Sequence, residues 1–246
     1  MIDKDSKEKI ISIIESKNYP LKGFTFIEGF PDLGLAGTIG AKYIIDKLKF
    51  EEIGHIDSKL FLPMIRIQEG IPIHPVRLYA SKKNKIVIAI AEQLIDNIIA
   101  NQMAEELVNW IKKKGITKVI STSGARIPEG KIVYAFASNE NSKRIITKNK
   151  IEMIKTGLTS GVTALLMLYL KDSNLDAICL LGNAKNNADY LAAAEVVKTI
   201  CVLTGIKVDV IPLLQEAKVL EKALMENIKT IEENKVGKQD STPMYV

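Results

Sequence analysis

The sequence predicts an α/β protein with a mostly parallel central sheet that is covered by helices on both faces. Apolar, strand-like segments alternate with segments of helical periodicity along most of the chain, which is typical of repeated strand–helix–strand units. The segment 85–91 is almost continuously apolar, as in a strand that is buried on both faces of a sheet. With 246 residues, 47% of them hydrophobic, the chain has enough apolar side chains for one large core, which we expect within a single domain at 1–233.

In the first half of the chain, each predicted element follows from a local pattern. An amphipathic stretch predicts a helix at 6–17, and the apolar run at 23–30 predicts the first strand. The turn at 31–34 then opens a helix that continues to residue 48. Strands are predicted at 53–62 and 64–68. The prolines at 72 and 75 predict a loop or an edge strand, because proline cannot donate a ladder hydrogen bond.

The helix after the central strand at 85–91 has clear boundaries. Asp96 is a typical N-cap residue and Gly115 a typical residue just past a C-terminus. Between them, apolar residues recur at a spacing of four, at Ile99, Met103, Leu107 and Ile111. The lysines at 112–114 therefore fall in the last turn, where cations complement the helix dipole.

The second half of the chain continues the alternation. Its predicted elements are strands at 118–122 and 132–137, helices at 141–148 and 162–170, a strand at 175–181, a helix at 188–203, a strand at 208–211 and a helix at 213–233. The last helix carries an apolar stripe that packs either on the protein's own core or on a sister subunit. Residues 234–243 lack apolar periodicity and are rich in Lys, Gly, Gln, Asp, Ser, Thr and Pro, which predicts a flexible tail at 234–246.

Composition excludes several function classes. The net charge of +5 is spread along the chain, so we do not expect nucleic-acid binding. The two cysteines provide no disulfide framework, and the two histidines, His55 and His74, lack neighbours for a metal site or a catalytic triad. No cofactor is predicted. The N-terminus lacks a signal-peptide pattern and no apolar segment is long enough to span a membrane, so a cytoplasmic protein without membrane contact is expected.

Polar side chains follow several of the predicted strands. Asp32, Glu92, Ser123 with Arg126, and Asn183 all lie just past predicted strand ends. In a parallel sheet, ligands bind outside the carboxyl ends of the strands, so these side chains are candidates for one ligand pocket. The alternative is turn formation and helix capping, which the same residue types favour.

A glycine-rich segment joins the first strand to its helix. Its spacing resembles a phosphate-binding loop, but Leu35 and Ala36 stand where that motif needs Lys and Ser or Thr. Gly34, Gly37 and Gly40 fall three residues apart on one side of the helix. They allow either close packing of the helix on the sheet or cradling of a ligand.

Four segments together resemble the PAC2 family of proteasome assembly chaperones. They are Gly29-Phe-Pro-Asp-x-Gly-Leu-Ala-Gly37, His74-Pro-Val-Arg-Leu78, Ser121-Thr-Ser-Gly-Ala-Arg-Ile-Pro128 and Gly157-Leu-Thr-Ser-Gly-Val-Thr163. The resemblance covers about residues 24–214 and is closest to archaeal members. It implies a three-layer domain like that of nucleoside phosphorylases, without established catalysis. It also implies a homo-oligomer, or an assembly with a paralogous chaperone, that acts on 20S proteasome α-subunits without ATP.

The last three residues, Met244, Tyr245 and Val246, are similar to the hydrophobic-Tyr-any (HbYX) C-terminus of proteasome partners. The resemblance implies that this tail enters pockets between adjacent α-subunits, where the terminal carboxylate pairs with a lysine of the pocket. The same tail suits an assembly chaperone and an activator that opens the gate of the mature 20S particle. Two other hypotheses are a nucleoside or small-ligand enzyme that uses the candidate pocket, and an oligomeric scaffold whose ending is coincidental.

Overall fold

The computed structural model describes residues 10–216, and a nine-stranded sheet forms the centre of this part of the chain. The strands are β1 (Ser12–Glu15), β2 (Thr25–Gly29), β3 (Glu51–Asp57), β4 (Arg66–Gln68), β5 (Ile71–Ile73), β6 (Val76–Ser81), β7 (Ile86–Ala91), β8 (Lys118–Ala125), β9 (Val133–Ala137), β10 (Glu152–Met153) and β11 (Asp176–Asn183). The helices are α1 (Ala36–Leu48), α2 (Asn97–Lys113), α3 (Glu140–Lys148), α4 (Gly161–Asp172) and α5 (Tyr190–Thr204).

The sheet has the order β1-β3-β6-β7-β2-β8-β11-β9-β10. Its centre is parallel, because β2 pairs in parallel with β7 and β8, and β8 pairs in parallel with β11. Antiparallel ladders flank the centre, formed by β6, β3 and β1 on one side and by β9 on the other. Strands β4 and β5 form a separate hairpin.

Two hydrophobic cores lie on opposite faces of the sheet. Alternate residues of a strand point to opposite faces, so Phe26 packs in one core and Ile27 in the other, both with no exposed surface. Helices α2 and α4 cover the first core, and α1 and α5 cover the second. The predicted α/β fold with helices on both faces of a central sheet is therefore confirmed.

The ends and the buried face of helix α2 follow from its local sequence. The Asp96 side chain accepts a hydrogen bond from the Ile98 N–H at 2.8 Å, as expected of an N-cap residue. Gly115 has a φ of +68°, in the left-handed region that glycine adopts readily after a helix. The predicted apolar stripe is buried in the first core, at Ile99, Met103, Leu107 and Ile111. The predicted boundaries are confirmed to within a residue or two.

Two predicted elements are wrong. Residues 12–15 form strand β1, paired antiparallel with β3, where a helix was predicted; Ile11, just before β1, is buried in the first core. Pairing with β3 overrides the local helical pattern. Residues 6–9 of that predicted helix lie outside the described residues. The predicted strand at 208–211 is absent from the described chain. Val210 packs on the second core by its side chain and a helical turn starts at 211.

Most of the elements predicted near the C-terminus lie outside the described residues. Residues 211–216 are helical and Leu213 is buried in the second core, so the start of the last predicted helix packs on the protein's own domain. The remainder of that helix, the predicted tail at 234–246 and the terminal residues Met244, Tyr245 and Val246 lie outside the described residues. No helix between residues 10 and 216 has the length and apolar character needed to cross a membrane.

Candidate functional site

The carboxyl ends of β2, β8 and β11 lie side by side, and Asp32 connects two of them. One Asp32 oxygen accepts a hydrogen bond from the Leu33 N–H at 2.7 Å, and the other accepts from the Ser123 hydroxyl. The Gly124 N–H approaches the same second oxygen at 3.4 Å. A Cβ at Gly124 would lie 1.9 Å from the Leu33 carbonyl oxygen, so only glycine permits this contact between the loop and β8.

Arg126, immediately past β8, lines a groove of about 600 Å³ at this edge of the sheet. The opposite wall is the segment 154–159 that precedes α4, and it contributes a second cation, Lys155. Neither Arg126 nor Lys155 forms a hydrogen bond or an ion pair with another described residue. The remaining side chains of the groove are apolar or hydroxylic, which makes it a cationic groove with apolar walls.

Asn183, at the end of β11, holds one wall of this groove in place. Its side-chain oxygen accepts from the Ile127 N–H at 2.8 Å, and its amide nitrogen donates to the Ile127 and Lys131 carbonyl oxygens at 3.0 and 3.3 Å. Asn183 itself is nine-tenths buried. Its role in the described structure is to anchor the segment after β8, of which Arg126 is part.

Glu92 belongs to a different cluster. It follows β7, and its carboxylate binds Arg77 at 2.5 Å and Lys42 at 3.2 Å and also pairs with Arg66. These partners come from β6, α1 and β4, none of which contributes to the Arg126 groove. Strand β2 separates β7 from β8, so the structure brings together Asp32, Ser123 and Arg126 and leaves Glu92 apart from them.

A buried carboxyl group that the sequence reasoning missed lies below the same edge. Glu28 in β2 is fully buried; its two oxygens accept hydrogen bonds from the Phe30 N–H at 2.9 Å and from the Thr163 hydroxyl of α4 at 3.1 Å. Burial raises the pKa of Glu28 to about 7, although these hydrogen bonds favour the charged form. The available signal was an acidic residue inside the otherwise apolar run Phe24 to Phe30.

The glycine-rich segment after β2 is explained by packing. A Cβ at Gly37 would lie 2.0 Å from the Thr122 hydroxyl oxygen, so α1 approaches β8 too closely for any side chain at that position. The Thr122 hydroxyl also donates to the Glu28 carbonyl oxygen at 2.8 Å, which ties the two central strands together. Of the two interpretations of these glycines, the structure supports close packing of α1 on the sheet.

The histidines and cysteines form no metal site in the part of the chain that the structure describes. His55 and His74 stack on each other, with ring centroids 3.6 Å apart and planes inclined by 6°. Partial burial, together with the neighbouring His74, lowers the pKa of His55. Cys179 and Cys201 are both free thiols.

Comparison with known proteins identifies a family and several structural relatives of this chain. The sequence model of a family described as the PAC2 family matches residues 26–228. A crystal structure of Pyrococcus furiosus PbaA, an archaeal homolog of proteasome-assembly chaperone, superposes with a TM-score of 0.83 and 31% identity, covering 94% of this chain and 97% of that chain.

Two further relatives extend the comparison. Pyrococcus furiosus PbaB, an archaeal proteasome activator, has the same fold with a TM-score of 0.77 at 21% identity, covering 89% of this chain and 98% of that chain. An uncharacterized protein of Methanocaldococcus jannaschii is 26% identical over 96% of this chain and 98% of its own length.

Proposed function

The chain belongs to the PAC2 family, and from this premise we propose that it is an ATP-independent proteasome assembly chaperone. In this proposal it binds 20S α-subunits or assembly intermediates in the cytoplasm and performs no catalysis. The observation that carries the proposal is the likeness to PbaA, at 31% identity over nearly the whole of both chains. The family match at residues 26–228 includes Asp32 and Arg126.

We propose that Met244, Tyr245 and Val246 make the contact with the α-subunits. A terminal carboxylate that meets a lysine forms a charge-assisted contact, and the tyrosine adds a large apolar area with one polar group. Pro243, just before the tripeptide, restricts the backbone and so reduces the entropy lost on docking. The tail therefore combines an aromatic side chain that packs on the partner, a terminal negative charge and a conformationally restricted backbone.

A single tail of this kind binds weakly, so the proposal includes an oligomer. Several tails on one particle raise the effective concentration of the second and later tails, to about millimolar for short tethers. The oligomer is either a homo-oligomer or an assembly with a paralogous chaperone.

The direct test is a pull-down of 20S α-subunits with the full-length chain and with a chain that lacks residues 244–246. The full-length chain should retain α-subunits and the shortened chain should not. A matched control appends one glycine after Val246, which keeps all three side chains but moves the carboxylate; it should also lose binding. Equal recovery by all three proteins would remove the tail from the proposal.

A second candidate function is activation of the mature 20S particle. It is favoured by the shared fold with PbaB, which is described as a proteasome activator, and by the same tail chemistry. Peptidase assays with mature 20S particles separate the two functions. Stimulation by the intact chain, but not by Tyr245→Ala, would indicate gate opening, whereas binding without stimulation would favour assembly.

A further inference from the structure

A small pocket of about 230 Å³ lies at the carboxyl end of β7, between α1, β4 and β6. We call it the Arg77 pocket; its polar lining is Lys42, Asp46, Arg66, Gln68, Arg77 and Tyr79. It shares no residue with the groove beside Arg126. One water molecule takes up about 30 Å³ of liquid, so the pocket has room for a small ion and its nearest waters. It is too small for a peptide or a drug-sized ligand.

One carboxylate, that of Glu92, serves three cations of this pocket. The cations come from α1, β4 and β6 and are Lys42, Arg66 and Arg77. A single negative charge therefore faces three positive charges. Arg77 is the most buried of the three, with only 4% of its surface exposed. The excess of positive charge thus lies where water screens it least.

Two other carboxylates lie near the pocket, and both are exposed. Glu52 is 3.8 Å from Arg77, and its side chain is 42% exposed. Asp46 lies on α1 at the exposed rim of the pocket. Because water and salt screen exposed charges, these two groups weaken the positive potential inside the pocket without cancelling it.

The two guanidinium groups also have more hydrogen-bond donors than acceptors. A guanidinium carries N–H donors on each of its nitrogens. Within the described chain, the side chains of Arg66 and Arg77 each donate one hydrogen bond, in both cases to Glu92. The Nε atoms of both arginines are buried without an acceptor. Since buried polar groups normally have partners, the pocket suits an occupant rich in acceptor oxygens.

We propose that the Arg77 pocket binds a phosphate group, held by the guanidinium groups of Arg66 and Arg77 and by the Lys42 ammonium. Phosphate oxygens match the fork of a guanidinium and accept two parallel N–H bonds from it, while lysine adds a point charge. The phosphate group is either free inorganic phosphate or the end of a small phosphate ester. This site is separate from the proposed proteasome role and stands or falls without it.

A bound phosphate would join the hairpin β4–β5 to the rest of the domain. Arg66 belongs to this hairpin, whereas Lys42 and Arg77 belong to α1 and β6. The hairpin exposes two large apolar side chains, Ile67 at 68% and Ile71 at 64%. Occupation of the pocket should therefore restrict local opening of a segment that carries an apolar surface.

Calorimetric titration of the full-length chain with sodium phosphate, at constant ionic strength set by sodium chloride, tests the site. Saturable binding is expected, with a dissociation constant of about a millimolar or lower. A parallel titration with glycerol 3-phosphate distinguishes the two sources. Tighter binding of the ester assigns the pocket to a phosphate ester, and tighter binding of the inorganic ion assigns it to free phosphate. No saturable binding of either compound up to about 10 mM would overturn the proposal.

Three variants locate the binding. Arg66→Gln and Lys42→Gln should each weaken phosphate binding about tenfold. Their side chains are 36% and 41% exposed, so both variants should remain folded. Arg126→Gln removes a matched arginine from the separate groove and should leave the affinity unchanged. Full affinity in both pocket variants, or a loss confined to Arg126→Gln, would place the bound phosphate elsewhere and contradict the assignment.

Hydrogen exchange followed by mass spectrometry tests the bridge to the hairpin. Phosphate at ten times its dissociation constant should slow exchange at residues 66–73 about tenfold, if the opened hairpin does not bind it. The same addition should have no such effect on Arg66→Gln. Equal exchange of the unaltered chain with and without saturating phosphate would show that Arg66 does not hold the ligand.

Discussion

Replacing Glu28 with glutamine tests whether the buried carboxyl group in the central strand controls the pH dependence of stability. The Glu28 side chain is fully buried, and its pKa is raised from 4.5 to about 7, mainly because burial disfavours the charged form. Between these two pH values the folded chain holds a proton that the unfolded chain has released. The neutral form therefore contributes stability that is complete below pH 4.5 and is lost as the pH rises through about 7.

The size of this effect follows from the shift. Each pKa unit corresponds to about 1.4 kcal/mol, so a shift from 4.5 to about 7 makes the ionised form cost about 3 kcal/mol of the free energy of unfolding above pH 8. Glu28→Gln has nearly the same shape and does not titrate. The difference in stability between Glu28→Gln and the unaltered chain should thus rise by about 3 kcal/mol from pH 4.5 to pH 8.

Urea denaturation of both proteins at a series of pH values between 4.5 and 8 measures this difference. Using the change with pH cancels any constant effect of the amide on the hydrogen bonds from Phe30 and Thr163. Glu105→Gln, at an exposed position of α2, is the matched control and should show no such trend. If the stability curves of Glu28→Gln and the unaltered chain run parallel over the whole range, the buried carboxyl does not titrate as argued.

Three further substitutions probe other parts of the structure by thermal or urea denaturation. Gly37→Ala should destabilise the fold by about 1–3 kcal/mol, because its Cβ would lie 2.0 Å from the Thr122 hydroxyl; comparing Gly37→Ala combined with Thr122→Ala, which lacks that hydroxyl, against Thr122→Ala alone tests whether that contact is responsible, and no loss in the single Gly37→Ala variant would contradict the packing argument. Glu92→Gln should cost about 3 kcal/mol, since it leaves the nearly buried Arg77 with only the more distant Glu52 carboxylate, at 3.8 Å, and a loss below about 1 kcal/mol would show that Glu52 compensates. Asn183→Ala should cost about 1–3 kcal/mol and increase proteolysis at residues 127–131, whereas unchanged proteolysis would mean that its three hydrogen bonds do not hold that segment.

Local sequence patterns predicted a helix or strand correctly where the residues of that element alone contain the signal. The N-cap at Asp96, the spacing of four in α2 and the glycine after it predicted that helix with nearly correct ends. The apolar run that became β7 was recognised as a strand buried on both faces, and all six of its residues are buried. Residues 12–15 were mispredicted because their partner, β3, lies about forty residues away in the chain and no local pattern reports the pairing.

The candidate site was predictable only in part, for a topological reason. The rule that parallel strands end at one edge indicated the region where Asp32, Ser123 and Arg126 lie. It did not separate Glu92 from them, because the insertion of β2 between β7 and β8 depends on how the chain crosses the sheet. The partners of Glu92 likewise come from three elements that are distant in sequence.

The alternation of strands and helices, the family resemblance and the terminal tripeptide can all be read from the amino-acid sequence, because each is a pattern of residues close together in the chain. The folded chain was needed to show that Glu28 is fully buried, that Glu92 pairs with Arg77, and that Arg126 and Lys155 line one groove without a carboxylate. The burial of a side chain and the pairing of its charge depend on segments that are far apart in the chain. Both are therefore established only when the order of the strands in the sheet brings those segments together.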